Sequence, residues 1–127
     1  MKRFAGLMLV IFIVLTGCGN KVHKNIGQEM ADDTEQIISI FEKNIKDNSD
    51  LSERDKKVFE EYKIKYGAMS KEPDSSSLKL TEEENRLYIL TRNMIDMYDF
   101  YTTLKSDHEK FDNMKESIRT VIKTGEI

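Results

Sequence analysis

The 127-residue sequence contains one cysteine, one proline, two histidines and no tryptophan. A lone cysteine cannot form a disulfide within the chain, so a folded domain must depend on packing alone. The scarcity of proline and glycine, the residues that interrupt helices, indicates long α-helices. The formal net charge is −3 and no basic patch is present, which argues against nucleic-acid binding. The sequence also has no G-x-S-x-G motif for a nucleophilic serine.

The N-terminus has the features of an export signal. Lys2 and Arg3 precede residues 4–15, which are apolar except for Gly6, and small residues follow. A positive start, an apolar core of about 7–15 residues and a small-residue cleavage site are typical of such signals. The run is too short for a transmembrane helix, which needs about 20 apolar residues. The sequence therefore predicts export and excludes a cytosolic nucleic-acid role.

The export signal ends in Leu15-Thr16-Gly17-Cys18. This segment resembles the lipobox of bacterial lipoproteins. The resemblance implies that a diacylglyceryl group is attached to the Cys18 sulfur and that a signal peptidase cuts between Gly17 and Cys18. It leaves open whether the new N-terminal amine is also acylated. Two acyl chains are enough for stable attachment to a bilayer. The expected location is the extracytoplasmic face of the cell membrane.

Cleavage would divide the chain into three parts. These are a signal peptide of residues 1–17, a lipidated tether of residues 18–24 and a single domain of residues 25–127. The mature chain has 110 residues, the size of one small domain, and its net charge becomes −5 because the signal carries two positive charges and no acid. Its periodic apolar residues predict an all-α fold, an antiparallel bundle of three long helices or of four.

The first two predicted helices together span about 60 Å, at ~1.5 Å per residue, so they could line one long partner helix. The first covers about residues 26–46 with Asn25 as its N-cap, and a turn of residues 47–50 follows. The second begins after Ser52 as N-cap and ends near Gly67. An exposed loop is expected at about residues 70–80. The apolar positions that we expect in the core are Ile26, Met30, Ile37, Ile38, Phe41, Ile45, Val58, Phe59, Tyr62, Tyr66 and Met69.

The third predicted helix begins at a capping box of Thr81 with three glutamates. Its apolar stripe continues with a spacing of three and four residues, broken only at Lys115. The stripe comprises Leu87, Leu90, Met94, Met97, Tyr101, Leu104, His108, Phe111, Ile118 and Ile122, widened by Ile95, Tyr98, Phe100 and Met114. Two interpretations remain open. One is a continuous helix of about 42 residues, roughly 63 Å long. The other is a break near Ser106, where a second capping box stands.

Few residues point to chemistry. His108 lies on the apolar stripe with carboxylates nearby, and it could serve a metal site or an enzyme. The only other histidine, His23, is in the tether, so no metal-ligand spacing exists and no metal or cofactor is predicted. Asp96 and Asp99 lie three residues apart and off the stripe, where a solvated face is expected.

The five tyrosines suggest a partner surface less strongly than they suggest packing. Tyrosine is enriched at protein interfaces, but four of the five lie on or beside the predicted core stripes. Tyr88 is out of phase with the main stripe and is the tyrosine that we expect to be exposed. Ile64 and Ile89 are also out of phase. We therefore predict that Ile64, Tyr88 and Ile89 form part of a partner surface.

The sequence predicts a lipid-anchored, non-catalytic interaction protein that acts on a membrane or cell-surface partner. In size and address it is similar to the exclusion, immunity and accessory lipoproteins of prophages and conjugative elements, which block or modulate a neighbouring membrane protein. Two alternatives stay open. One is a small ligand- or metal-binding module or enzyme that uses His108 and nearby carboxylates. The other is a structural component of the cell envelope.

Overall fold

The computed structural model describes residues 21–70, 79–102 and 108–127. Most of these residues are helical, and none of them forms a β-strand. The all-α prediction is confirmed. The lipobox residues, most of the predicted loop and Ser106 lie outside the described residues. The described residues form five helices rather than three or four, because the five-residue segment Tyr98–Thr102 forms a short helix of its own. They are α1 (Gln28–Asp47), α2 (Glu53–Ser70), α3 (Glu82–Asp96), α4 (Tyr98–Thr102) and α5 (His108–Thr124).

Helix α1 presents its predicted apolar stripe to the core. Ile37, Ile38 and Phe41 have no exposed surface, and Met30 is also buried. The predicted cap is wrong, however. Helix α1 starts at Gln28 after Gly27, and no side chain caps its first turn. The Asn25 side chain instead donates to Glu83 Oε1 across 3.1 Å, so it connects the start of the domain to α3.

Helix α2 begins where the sequence places it but extends further. Ser52 Oγ accepts from the backbone N–H of Asp55 at 3.1 Å, which confirms the predicted cap. Asn48 adopts the left-handed conformation (φ 48°) in the preceding turn, a conformation that asparagine tolerates well. Gly67 does not end α2, because the helix continues to Ser70.

The long C-terminal stripe is divided between helices. Thr81 Oγ1 accepts from Glu84 N–H at 3.1 Å, which confirms the predicted start of α3. The helix ends at Asp96, and Met97 has non-helical angles (φ −104°, ψ 26°) before α4 begins. Helix α5 then packs against both α3 and α4. A continuous helix cannot pack against itself, so the interpretation of one 42-residue helix is wrong.

Lys115, which interrupts the apolar stripe, lies between α1 and α5. Its ammonium group is 3.2 Å from Glu42 Oε1 on α1 and 3.2 Å from Asp112 Oδ1 on its own helix. Only 19% of the side chain is exposed. Desolvation lowers the pKa of Lys115, but the two carboxylates outweigh it and the pKa is raised. The interruption is therefore a paired charge at a helix interface.

The core contains a cluster of aromatic rings centred on Phe41. The Phe41 ring lies 5.5 Å from Phe59, 4.9 Å from Tyr98 and 5.3 Å from Phe111, measured between ring centroids. These partners come from α2, α4 and α5, so one side chain of α1 contacts three other helices. The stacked and tilted geometries are those that aromatic pairs prefer.

The ends of the helices meet at two places, which we call the proximal and the distal end. At the proximal end the described chain begins, α3 starts and α5 stops, and His23 N–H donates to Ile122 O at 2.7 Å. At the distal end, the end of α1 and the start of α2 lie beside α4. Helix α1 connects the two ends over about 30 Å, at ~1.5 Å per residue for its 20 residues. No helix among the described residues is long and apolar enough to cross a membrane.

Candidate interaction site

The predicted partner surface is only partly a surface. Ile64 is 70% exposed and Ile89 is 41% exposed, so both apolar side chains are open to solvent. Tyr88 is 5% exposed, and the expectation that it is exposed is wrong. Any partner that contacts Ile64 and Ile89 would therefore meet little of Tyr88.

Tyr88 is buried because α2 has no side chain at Gly67. A Cβ atom on Gly67 would lie 2.8 Å from the Tyr88 hydroxyl oxygen, which is closer than real Cβ atoms approach other atoms. The hydroxyl donates to Lys63 O at 3.5 Å, and the ring stacks on Tyr62 with centroids 6.3 Å apart. Arg92 covers the ring at 5.7 Å. The glycine that sequence reasoning assigned to a helix end thus provides the space for a tyrosine.

The buried phenols are hydrogen-bonded and remain protonated at neutral pH. The Tyr62 hydroxyl and Thr34 Oγ1 are 2.9 Å apart in the core, and burial raises the pKa of Tyr62 to about 12. Tyr66 donates to Asp33 Oδ2 at 2.5 Å. Burial and that hydrogen bond raise the pKa of Tyr66 as well. Because these phenols stay protonated, they form hydrogen bonds and do not act as bases. Their hydrogen bonds to Thr34 and Asp33 hold α1 and α2 together.

His108 is the first residue of α5 and is half-buried. Within residues 21–70, 79–102 and 108–127, no group of three or more His, Cys, Asp or Glu side chains is arranged to hold a metal ion. Asp96 and Asp99 are exposed, in agreement with the predicted solvated face. Lys63 Nζ lies 3.5 Å from Asp96 Oδ1 at the surface. Asp96 and Asp99 line one cleft, but His108 is not among the residues that line it.

A cleft at the distal end was not predicted. It has a volume of about 900 Å³, and we call it the distal cleft. Residues from the turn after α1 form one wall, and residues around the break between α3 and α4 form the other. The lining includes Asn44, Asp50, Asp96, Met97, Tyr98 and Phe100.

The break at Met97 exposes apolar side chains beside this cleft. Met97 and Phe100 are each 43% exposed, although the sequence pattern placed both in the core. That expectation is wrong for both, because the interruption after Asp96 changes the helical phase. Tyr98 and Tyr101 face the core as predicted, whereas Met97, Asp99 and Phe100 turn outward. The exposed pair is thus a product of the break.

Tyr98 connects the distal cleft to the core. Its hydroxyl oxygen accepts from Asn44 Nδ2 at 2.9 Å, and Ser49 Oγ donates to Asn44 Oδ1 at 3.2 Å. Burial raises the pKa of Tyr98, and the carboxylates of Asp55, Asp99 and Asp50 raise it further. The hydrogen bonds hold the wall of the cleft in place, and Asp50, Asp96 and Asp99 line the cleft together with one lysine, Lys56.

Comparison of the chain with protein-family models, with curated proteins and with solved structures returns no match.

Proposed function

We propose that the chain is a lipid-anchored extracytoplasmic protein without catalytic activity, and that it binds a membrane or cell-surface partner through the end of its bundle that faces away from the anchor. The proposal combines two features. The segment Leu15-Thr16-Gly17-Cys18 resembles a lipobox, and the chain enters the helical domain at the proximal end. In this proposal the anchor and the distal cleft lie at opposite ends of the domain.

The orientation in this proposal rests on the hydrogen bond of His23 N–H to Ile122 O, 2.7 Å long, whereas the anchor rests on the lipobox resemblance. It joins the start of the domain to the end of α5. Thr81 Oγ1 also donates to Asn25 O at 2.6 Å, so the start of α3 lies there too. From these contacts we infer that the long helices α1, α2, α3 and α5 run alternately up and down, as an antiparallel bundle does.

The tether to the membrane is short in this arrangement. Val22 packs against the core, so the segment between Cys18 and the domain comprises residues 19–21. Three residues span at most about 10 Å. The bundle adds about 30 Å, which lets the distal cleft stand up to about 40 Å from the bilayer surface. Confinement to the membrane raises the effective concentration of such a site against a membrane-bound partner.

The anchor is tested by Cys18→Ala in cells that process lipoproteins. We expect the variant to lose incorporation of labelled fatty acid and to leave the membrane fraction as shed protein or to accumulate as uncleaved precursor. Phe100→Ser, a change at the distal end, is the matched control and should be labelled like the native chain. Fatty-acid labelling that persists in Cys18→Ala would overturn the proposed anchor.

A further inference from the structure

The distal cleft has the features of a binding site for part of another protein. Methionine and aromatic residues are enriched in the cores of protein interfaces, and Met97 and Phe100 are both exposed beside it. Exposed large apolar residues elsewhere in the described chain are Ile64, Ile89 and Ile127. Met97 and Phe100 differ from these in lying together at the wall of the distal cleft.

The charge of the cleft favours a cationic partner. Its lining contains Asp50, Asp96 and Asp99 but a single lysine, Lys56. Lys56 is itself bonded to Glu53 at 2.9 Å, outside the lining. The lining thus carries three negative formal charges and one positive, and Lys63, outside the lining, lies 3.5 Å from Asp96. Complementary charge increases the rate of association and makes binding more specific for partners of the opposite charge.

Phe100 already contacts a cation within the protein. The ammonium group of Lys110 lies 4.4 Å from the centroid of the Phe100 ring. Arginine and lysine are attracted to the faces of aromatic rings at such distances. The ring is 43% exposed despite this contact, so it has surface left for a second side chain.

Resting on the proposed function, we propose that the distal cleft binds a positively charged segment of a partner protein. An apolar or aromatic side chain of that segment contacts Met97 and Phe100, and its lysine or arginine side chains contact Asp50, Asp96 and Asp99. An acidic cleft repels the anionic headgroups of a membrane, so a protein segment suits it better than a lipid surface does.

The test is site-specific photo-crosslinking in intact cells that encode the protein. A photo-crosslinking amino acid replaces Phe100 in the full chain with its own N-terminal signal, and matched variants carry it at Ile64 and Ile89 on α2 and α3. We expect a protein adduct from position 100 and none from positions 64 and 89. Mass spectrometry of the adduct should identify a partner peptide with net positive charge.

Charge reversal provides the second measurement. Asp50→Lys with Asp96→Lys, added to the crosslinker at position 100, should reduce the adduct by about tenfold or more, because the cleft becomes positive. Asp32→Lys with Glu126→Lys changes the net charge equally at exposed positions outside the cleft lining. This control should leave the adduct unchanged. Circular dichroism of both double variants checks that the helical fold is retained.

The outcomes separate the inference from the proposed function. Adducts from positions 64 or 89 but not from 100 would overturn the inference and leave an interaction protein with a different surface. An acidic or neutral partner peptide, a lipid adduct, or an adduct that resists charge reversal would also overturn the inference. The absence of adducts from all three positions would overturn the inference and the proposed interaction together.

Discussion

The two ends of the bundle are stabilised by different interactions. At the proximal end, hydrogen bonds connect segments far apart in sequence, such as His23 with Ile122 and Thr81 with Asn25. At the distal end, the rings of Phe41, Phe59 and Tyr98 pack together beneath an open cleft. The distal end also has a long-range hydrogen bond, from Asn44 to the Tyr98 hydroxyl, so the two ends differ chiefly in the ring cluster and the open cleft of the distal end.

Gly125 allows a close approach of segments at the proximal end. Gly125 follows α5 with φ at +77°, a conformation that other residues rarely adopt. A Cβ atom there would lie 2.8 Å from Glu83 Cγ and 3.3 Å from the His23 ring. Arg86 also donates to the Gly125 carbonyl. At Gly125, therefore, the backbone and side chains of three segments approach one another closely.

Phe41→Ala should cause the largest loss of stability. The side chain is fully buried against three rings, and truncation of a buried phenylalanine costs about 3–5 kcal/mol in free energy of unfolding. Urea unfolding followed by circular dichroism measures the loss. Phe100→Ala, at the exposed ring of the same end, is the control and should change the free energy by about 0.5 kcal/mol or less. Equal losses would contradict the division between core and cleft.

Alkaline pH should weaken the middle of the bundle through Tyr62. Burial raises its pKa from 10 to about 12, so the folded state favours the protonated phenol. The resulting stability is complete below pH 10 and is lost as the pH rises towards 12, by roughly 2–3 kcal/mol at about 1.4 kcal/mol per pH unit. Urea unfolding at several pH values measures the slope. In Tyr62→Phe the slope between pH 10 and 12 should decrease, and an unchanged slope would assign the effect to other groups.

Gly67→Ala tests the contact between α2 and α3. Helix propensity alone predicts stabilisation by about 1 kcal/mol, since alanine suits a helix better than glycine. The Tyr88 hydroxyl at 2.8 Å from the new Cβ predicts the opposite sign, a loss of about 1–3 kcal/mol.

Tyr88→Phe should rescue Gly67→Ala. The remaining ring carbon Cζ would be 3.6 Å from the Cβ atom, an ordinary contact. A double-mutant cycle measured by urea unfolding gives the coupling between the two positions. Additive effects, or stabilisation by Gly67→Ala in the native background, would refute the packing role of Gly67.

Thr81→Ala should have the smallest of these effects and should act at the proximal end. It removes the side-chain cap of α3 and the bond to Asn25 O, at a cost of about 1 kcal/mol. Thr81→Ser keeps the hydroxyl and should remain close to the native free energy of unfolding. Hydrogen exchange of the first amides of α3 would locate the effect, and protection that is unchanged in Thr81→Ala would contradict it.

Much of the local structure could be predicted from the sequence. Ser52 and Thr81 were identified as caps because a hydroxyl before an amphipathic run with an acid three residues later satisfies the first free amides of a helix. The stripe of Ile37, Ile38 and Phe41 was identified by its period. These features depend on residues within one or two helical turns, and no other part of the chain is needed to define them.

The candidate site could not be predicted in the same way. The apolar spacing runs through Met97 and Phe100 without interruption, so it predicted that both lie in the core. The backbone, however, leaves the helix at Met97. Tyr88 was expected at the surface because the apolar pattern of α3 carries no information about the space that Gly67 leaves on α2. The first error arises from a local break in the backbone, and the second arises because a neighbouring helix decides the environment of Tyr88.

The sequence by itself determined that the described chain is helical, where the capped helices α2 and α3 begin and that Met30, Ile37, Ile38 and Phe41 of α1 are buried. It also supplies Leu15-Thr16-Gly17-Cys18, on which the proposed anchor rests. Only the tertiary structure decided that the last apolar stripe folds back on itself, that Tyr88 is enclosed and that a cleft opens between the turn after α1 and the break before α4. The physical reason is that a helix records its own apolar face in its sequence, whereas a cleft exists only between helices whose separation the sequence pattern does not contain.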